Sequence, residues 1–348
     1  MKPLTCMVKN QQWPLAREFR ISRGAKTQAD VLVVVLSDGH HVGWAEAVPY
    51  AHYGETIESV TKQIRDCVKQ LTTASTPSDL ANLLPASAAR NALDCALWDL
   101  MAKRDNTPVH KLINHSAPQT KITAQTLSLG SIEDMRQQAA EICHSPLIKI
   151  KLDAHQVIER MQAIHAAAPT SQFIIDANEA WSFKQLTQWL PQLKALNVAL
   201  IEQPLAAGHD EALINLTPDI PLCADESCHT SADLRYLKGR YQAINIKLDK
   251  TGGLSEALNL LEQAKAAGFI IMTGCMVGTS LAMAPAFLIA QHAQFVDLDG
   301  PLLIANDRLF PFSFDNGVMQ PMPMQLWGGN SNYLNRELMN LLPKKYLM

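Results

Sequence analysis

Two rhythms of hydrophobic and polar positions divide the chain near residue 118. Before that point, residues 31–36 read VLVVVL, Ser37-Asp38-Gly39 follow, and VGWAE runs to Glu46. Two β-rich runs about an Asp-Gly turn predict an antiparallel hairpin. Residues 56–71 then place Ile57, Val60, Ile64, Val68 and Leu71 on one helical face, and residues 86–103 do the same with Leu93, Ala96, Leu97 and Leu100. Strands followed by helices predict a small α+β domain over residues 1–118.

Beyond it the pattern becomes short, β-branched runs separated by helical stretches. The runs are ITAQTLSL (122–129), LIKIK (147–151), FIID (173–176), ALIE (199–202), LCAD (222–225), AINIK (243–247), FIIMT (269–273) and FVDLD (295–299). From Lys151 onward their ends lie 22 to 26 residues apart. Equal units of this kind predict a closed parallel α/β barrel over 119–318, because an open doubly wound sheet has no need of them. The helix expected over 255–267 stops at Gly268, where a glycine C-cap belongs. Residues 319–348 are expected to pack on the first domain, and Trp327-Gly328-Gly329-Asn330 carries no sequence reading.

Composition narrows the class. The chain has 348 residues, enough for about two domains, with 47% hydrophobic and 18% charged residues and a net charge of −3. No polybasic surface for nucleic acid is implied, and no apolar run approaches the roughly 20 residues needed to cross a bilayer. The polar stretch Lys9-Asn10-Gln11-Gln12 arrives before a signal peptide could form. Seven cysteines without a CxxC pair fit a reduced compartment, so the expectation is a soluble cytoplasmic protein.

The chemistry lies at the strand ends. Lys149, Lys151, Asp176, Glu202, Asp225, Lys247, Asp297 and Asp299 all terminate or nearly terminate a predicted strand. In a barrel these ends converge on one face, where barrel enzymes place their sites. Three carboxylates gathered there repel unless a cation intervenes, and an all-oxygen set selects a hard ion, so Asp176, Glu202 and Asp225 are the candidate ligands of one Mg²⁺ per subunit. Lys149 and Lys151 share a face by alternation, and two close ammonium groups are expected to lower each other's pKa. Lys151 is then the candidate base, opposed by Lys247, with Lys149 and the metal stabilising an enolate. Singly, each has a duller role: Asp176 could cap the next helix, and a lysine could simply reach solvent. Asn178 is either a support for a metal-bound water or a helix cap. Glu226 is either a partner of Asp225 or a loop charge, and Asp249 and Lys250 are either supports behind the ligands or a loop ion pair.

The strings IKIKLD, IIDANEAW, IEQPL, CADES and INIKLDKTGGL, in this order on successive strands, resemble the muconate-lactonizing-enzyme subgroup of the enolase superfamily. That resemblance implies a (β/α)₇β modified TIM barrel beneath an N-terminal α+β capping domain, and Mg²⁺ chemistry with a lysine base against an ene-diolate, for which this superfamily is itself the standard case. VDLDGPLLIAND resembles the dipeptide epimerases, in which the two aspartates, here Asp297 and Asp299, hold the substrate's α-ammonium. ISRG (21–24) and PYAHYGET (49–56) resemble the capping loops of the L-Ala-D/L-Glu epimerases, making Arg23 the match for the arginine that meets the glutamate side chain. Thr126 is a candidate for orienting the substrate. The implied activity is 1,1-proton transfer at the C-terminal residue of L-Ala-D/L-Glu dipeptides in murein peptide turnover, with a small-molecule substrate, no nucleic-acid or membrane partner, and a homo-oligomer compatible with the sequence.

Rivals are an N-succinylamino-acid racemase, an o-succinylbenzoate synthase or a cycloisomerase, none of which needs an ammonium clamp. An acid-sugar dehydratase needs a histidine where this chain has Met272-Thr273-Gly274-Cys275-Met276. A non-catalytic metal-containing binding protein needs charge but not opposed lysines. No histidine shows ligand spacing, Cys275 reads as pocket wall, and Gly252-Gly253 reads as a turn.

Overall fold

The computed structural model describes residues 2–330 together with Glu337 and Leu338. The remainder of the 319–348 segment lies outside the described residues. Strand β1 (Thr5–Ile21) pairs antiparallel with β2 (Gly24–Ser37), which pairs with β3 (Val42–Ala47). β1 has no counterpart among the sequence expectations. It is an edge strand with no fully buried residue, so it carries no apolar run to reveal it. Two helices cover the sheet. α1 (Ile57–Val68) starts at a Thr56–Ser59 capping box and buries Val60, Ile64 and Cys67. α2 (Ala88–Arg104) starts at Ser87 and lies across β3 so closely that a Cβ at Gly43 would fall 2.3 Å from the Ala96 carbonyl. Leu93, Leu97 and Leu100, buried at that contact, each contribute about 1.5–3 kcal/mol.

A short strand β4 (Lys121–Ile122) precedes eight parallel strands in sequential order: β5 (Gln125–Leu127), β6 (Leu147–Lys151), β7 (Gln172–Asp176), β8 (Val198–Glu202), β9 (Leu222–Ala224), β10 (Ala243–Ile246), β11 (Ile270–Gly274) and β12 (Phe295–Asp297). The Ala124 amide donates to the Val296 carbonyl at 2.7 Å and the Leu298 amide to Thr123 Oγ1 at 2.9 Å, drawing the first strand to the last. Helices alternate with the strands. The first and last strands are shorter than their apolar runs suggested, and Asp299 lies beyond β12, at the start of the helical turn Gly300–Leu303. β13 (Phe314–Asp315) and β14 (Val318–Met319) form a hairpin that pairs with β4.

The C-terminal stretch returns to the first domain. Trp44 Nε1 donates to the Leu326 carbonyl at 2.7 Å, Trp327 Nε1 to the Cys95 carbonyl at 3.1 Å, and the Gly328 amide to Asp99 Oδ1 at 2.7 Å. Where the two domains meet, α2 grips the turn after β10. Arg90 donates to the carbonyls of Thr251 and Gly252, Asn91 to Asp249, and Asp94 accepts from Ser255. No helix among the described residues is long and apolar enough to cross a membrane.

Candidate active site

Alternation along the strands sorts the barrel interior into layers. Ala124, Leu147, Ile174, Leu200, Cys223, Ala243 and Met272 form an apolar floor, with Phe295 packed against it. Two residues further along, the same inward positions carry Thr126, Lys149, Asp176, Glu202, Asp225, Asn245, Gly274 and Asp297. Two further still come Lys151, Lys247 and Asp299. The strand register staggers these layers, since Lys151, one layer up by alternation, is the Cα partner of Asp176, which in turn partners Glu202.

Charge is balanced inside this layer. Lys149 Nζ lies 2.6 Å from Glu202, 2.7 Å from Asp297 and 3.0 Å from Asp176, and Lys151 Nζ lies 2.6 Å from Asp176. Lys247 Nζ lies 2.6 Å from Asp225, and Asn245 donates to Glu202 at 2.8 Å. The Lys149–Glu202 contact is an ion pair by distance but lacks hydrogen-bond alignment, leaving Glu202 Oε2 without a hydrogen-bonded partner. Burial works against the charge on Lys149, but Asp297, Glu202 and Asp176 outweigh it and hold the ammonium well above its ordinary range. Lys247 is raised in the same way by Asp225 and Glu202. The expectation that Lys149 is depressed by its lysine neighbour is thus reversed here, because carboxylates about 3 Å away on several sides outweigh one ammonium. Burial also opposes ionisation of Asp225, yet Lys247 and Lys250 keep its carboxyl well below the usual range.

Above the layer opens a cavity of about 680 Å³ lined by Lys149, Lys151, Lys247, Asp297 and Asp299 below and by the β1–β2 hairpin and residues 48–56 above. Arg23, at the hairpin tip, is expected to meet a substrate carboxylate but is engaged by the protein. Nη1 donates to the Asn178 carbonyl and to Glu179 at 3.1 Å each, while Nη2 donates to Tyr50 Oη at 3.2 Å and Glu226 at 2.8 Å. Glu226 is therefore the partner of Arg23 and not of Asp225. Burial, reinforced by Asp225 and Asp176, pushes its carboxyl up to about 7. Asn178 has a left-handed φ of 44°, and its amide, not its side chain, donates to Asp176 at 3.0 Å.

Asp299 Oδ2 accepts the Thr126 amide at 2.7 Å, and burial together with Asp297 pushes its carboxyl up to about 7. Thr126 lines the cavity while fixing Asp299. Asp249 makes neither a loop ion pair nor a contact to the carboxylate layer. Its Oδ1 accepts from the Val48 amide at 3.0 Å and Asn91 Nδ2 at 2.7 Å, tying the Lys247 turn to the first domain. Lys250 is the support that sequence left open. Fully buried, it donates to Asp225 Oδ1 at 2.6 Å and to the carbonyls of Cys228 and Asn245. Cys275 lines the cavity, and burial pushes its thiol up, away from reactivity.

Known proteins share this architecture. Residues 4–114 match the mandelate racemase/muconate lactonizing enzyme N-terminal domain, and residues 133–322 match the enolase C-terminal domain-like family. The chain is a member of the enolase superfamily. An N-acetyl-D-glutamate racemase of Pseudoalteromonas sp is 54% identical over 304 residues, 87% of this chain and 96% of that one. The L-Ala-D/L-Glu epimerase of Escherichia coli (strain K12) is 47% identical over 317 residues, 90% of this chain and 99% of that one. An enolase family member from Agrobacterium tumefaciens with homology to dipeptide epimerases, solved with sodium and L-Ala-L-Glu, superposes with a TM-score of 0.91 at 43% identity, covering 94% of this chain and all of that one.

For a superfamily member the carboxylate layer must be tested as a metal site. As placed, each carboxylate turns to an ammonium, and among the described residues no three His, Cys, Asp or Glu side chains group closely enough to hold an ion. The donor chemistry nonetheless fits. Asp176, Glu202 and Asp225 are buried, all-oxygen and at the ends of successive strands, and they already draw cationic groups between them. Asn245, which sequence reasoning missed, orients Glu202. Its neighbour Gly274 is small by necessity, since a Cβ there would meet Asn245 at 2.7 Å.

Proposed function

We propose that this chain is a Mg²⁺-dependent epimerase that moves the α-proton of the glutamyl residue in L-Ala-D/L-Glu dipeptides, with Lys151 and Lys247 as its acid and base. The carrying observation is their placement. β6 and β10 stand four strands apart in an eight-stranded ring, so the two lysines approach one point from opposite sides. Opposed bases are what inversion at one carbon requires. One lysine, as the free amine, takes the α-proton from one face while the other, as ammonium, returns a proton to the opposite face, leaving the substrate's atoms unchanged.

Asp176, Glu202 and Asp225 are the residues that hold the metal, and three buried carboxylates favour a divalent over a monovalent ion. Bound there, Mg²⁺ supplies positive charge that offsets the carboxylates' hold on the lysines and stabilises negative charge on the substrate's α-carboxylate, worth about 4 kcal/mol per unit charge at 4 Å and an effective dielectric near 20. Lys149 adds a fixed ammonium beside that carboxylate. Asp297 and Asp299 receive the alanyl ammonium, Thr126 holds Asp299, and Lys250 and Asn245 keep Asp225 and Glu202 aimed. Murein peptide turnover is the source this reading assigns to such dipeptides, and the enzyme is proposed to act on them as a cytoplasmic protein.

A second reading takes N-acetylglutamate as substrate. It is favoured by the relative that shares 54% identity and by an Asp299 carboxyl half-neutral near pH 7. The two substrates share the glutamyl carbon and differ in the ammonium. Proton NMR of L-Ala-L-Glu and of N-acetyl-L-glutamate in D₂O, with Mg²⁺ and after chelation, separates the readings. Loss of the glutamyl α-signal with growth of the L-D diastereomer, abolished by chelation, supports the epimerase. Exchange of the N-acetyl compound alone supports the second reading, and exchange of neither refutes both.

A further inference from the structure

Resting on the reading that Asp225 is a ligand of the divalent ion, we propose that Gln203 is the residue that positions it, and that Asp210 and Tyr241 dictate which way the Gln203 amide faces. β9 ends at Ala224, and its ladder with β8 reaches only Ile201–Leu222 and Glu202–Cys223. Asp225 therefore lies beyond the end of its strand. A side chain takes over there. Gln203, fully buried and next in sequence to Glu202, accepts the Asp225 amide at 2.9 Å and the Ser227 amide at 3.1 Å through one oxygen. Its own backbone has a left-handed φ of 37°, a conformation that a glutamine keeps only where its surroundings over-determine it.

The orientation of that amide is fixed from its other end. Ser227 Oγ and Tyr241 Oη each donate to Asp210 Oδ2 at 2.8 Å, so both hydroxyls have committed their proton and can only accept from Gln203. Gln203 Nε2 lies 2.9 Å from the first, 3.0 Å from the second and 2.8 Å from the Leu205 carbonyl. Nitrogen must face the hydroxyls, which leaves oxygen for two backbone amides that can only donate. Asp210, itself buried and paired with Arg240 at 2.7 Å, thus reaches Asp225 through Ser227, Tyr241 and Gln203. Lys247 and Lys250 act on the Asp225 carboxylate, whereas Gln203 holds the backbone that carries it.

In the test, full-length protein freed of metal is titrated calorimetrically with MgCl₂ without substrate, in wild type, Gln203→Met and Tyr241→Phe, and the same metal-free samples are unfolded in urea. Gln203→Met removes the acceptor, and Mg²⁺ affinity is expected to fall about ten- to hundred-fold. Tyr241→Phe keeps the ring but leaves the amide free to turn, and is expected to lose at least about three-fold. Unchanged Mg²⁺ affinity in variants whose urea midpoints fall marks a role in folding alone and overturns the inference. Where Gln203→Met does not fold, Tyr241→Phe decides, and an affinity equal to wild type overturns the inference there too. A wild type that binds no Mg²⁺ refutes the metal reading and this inference with it. Binding without turnover of L-Ala-L-Glu refutes only the choice of substrate, and the affinity ratio still decides the role of Gln203.

Discussion

Replacing Asp299 by asparagine separates an ammonium clamp from a pocket wall. Asparagine keeps an oxygen for the Thr126 amide, now 2.7 Å from Asp299 Oδ2, so the loop after β12 retains its hydrogen bond while the charge is lost. A hydrogen bond to a charged group contributes about 1.5–3 kcal/mol, so kcat/KM for L-Ala-L-Glu should fall roughly ten- to hundred-fold, while N-acetyl-L-glutamate, which has no ammonium, should hold or improve. The wild-type pH profile carries a second signature. With burial and Asp297 pushing the Asp299 carboxyl to about 7, its ionised fraction climbs from about a tenth at pH 6 to about three-quarters at pH 7.5, a window in which the substrate's own amine stays mostly protonated. The ratio of kcat/KM for the dipeptide over the N-acetyl compound should therefore rise several-fold across that window and go flat in Asp299→Asn. Lysine titration affects both substrates and cancels in the ratio. Competition assays with both compounds from pH 6 to 7.5 decide it. Equal losses on both substrates, or a ratio already flat in wild type, would refute the reasoning.

Two further predictions concern the frame around the site. Asp94 is buried against Ser255, and burial pushes its carboxyl from 3.8 up to about 7. Because the folded value lies above the unfolded one, its contribution to stability is fully present below about pH 3.8 and is lost as pH rises through about 7. Asp94→Asn should weaken the fall in urea midpoint between pH 6 and 8, and an identical fall in both proteins would contradict this. Arg308 has a fully buried guanidinium 2.5 Å from Glu46, with Thr279 Oγ1 2.8 Å from its Nε. Arg308→Met leaves the buried Glu46 charge with only its Thr279 hydrogen bonds and should cost about 3–5 kcal/mol in urea unfolding, with partial recovery on adding Glu46→Gln. No recovery in the double variant would mean that the loss lies in packing or in the Arg308 contacts to Glu337 and Gln11, and not in the Glu46 charge.

What the sequence made legible follows from what repetition can encode. The equal spacing of strands β6 to β12 announced a ring, and in a ring every strand end reaches the same bowl, so Lys149, Lys151, Asp176, Glu202, Asp225 and Lys247 were identifiable without coordinates. β1 was invisible because an edge strand needs no apolar face, and its alternation is half-exposed throughout. The carboxylate partners of Arg23 lie 156 and 203 residues away, on loops after β7 and β9, and nothing local to ISRG signals them. Lys250 and Asp249 are adjacent in sequence yet serve different structures, one the carboxylate layer and one the first domain, a split set by the helical turn Leu248–Thr251. The direction of the Lys149 shift required the positions of carboxylates on three other strands.

The central claim is that two opposed lysines each serve one face of the glutamyl carbon. The most direct measurement is α-proton exchange in D₂O, followed by NMR for L-Ala-L-Glu and L-Ala-D-Glu separately, in Lys151→Ala and in Lys247→Ala with Mg²⁺ present. Each variant should lose epimerisation entirely, and each should retain exchange with one diastereomer, the two variants retaining opposite ones. Epimerisation surviving in either variant, or both variants sparing the same diastereomer, would contradict the account.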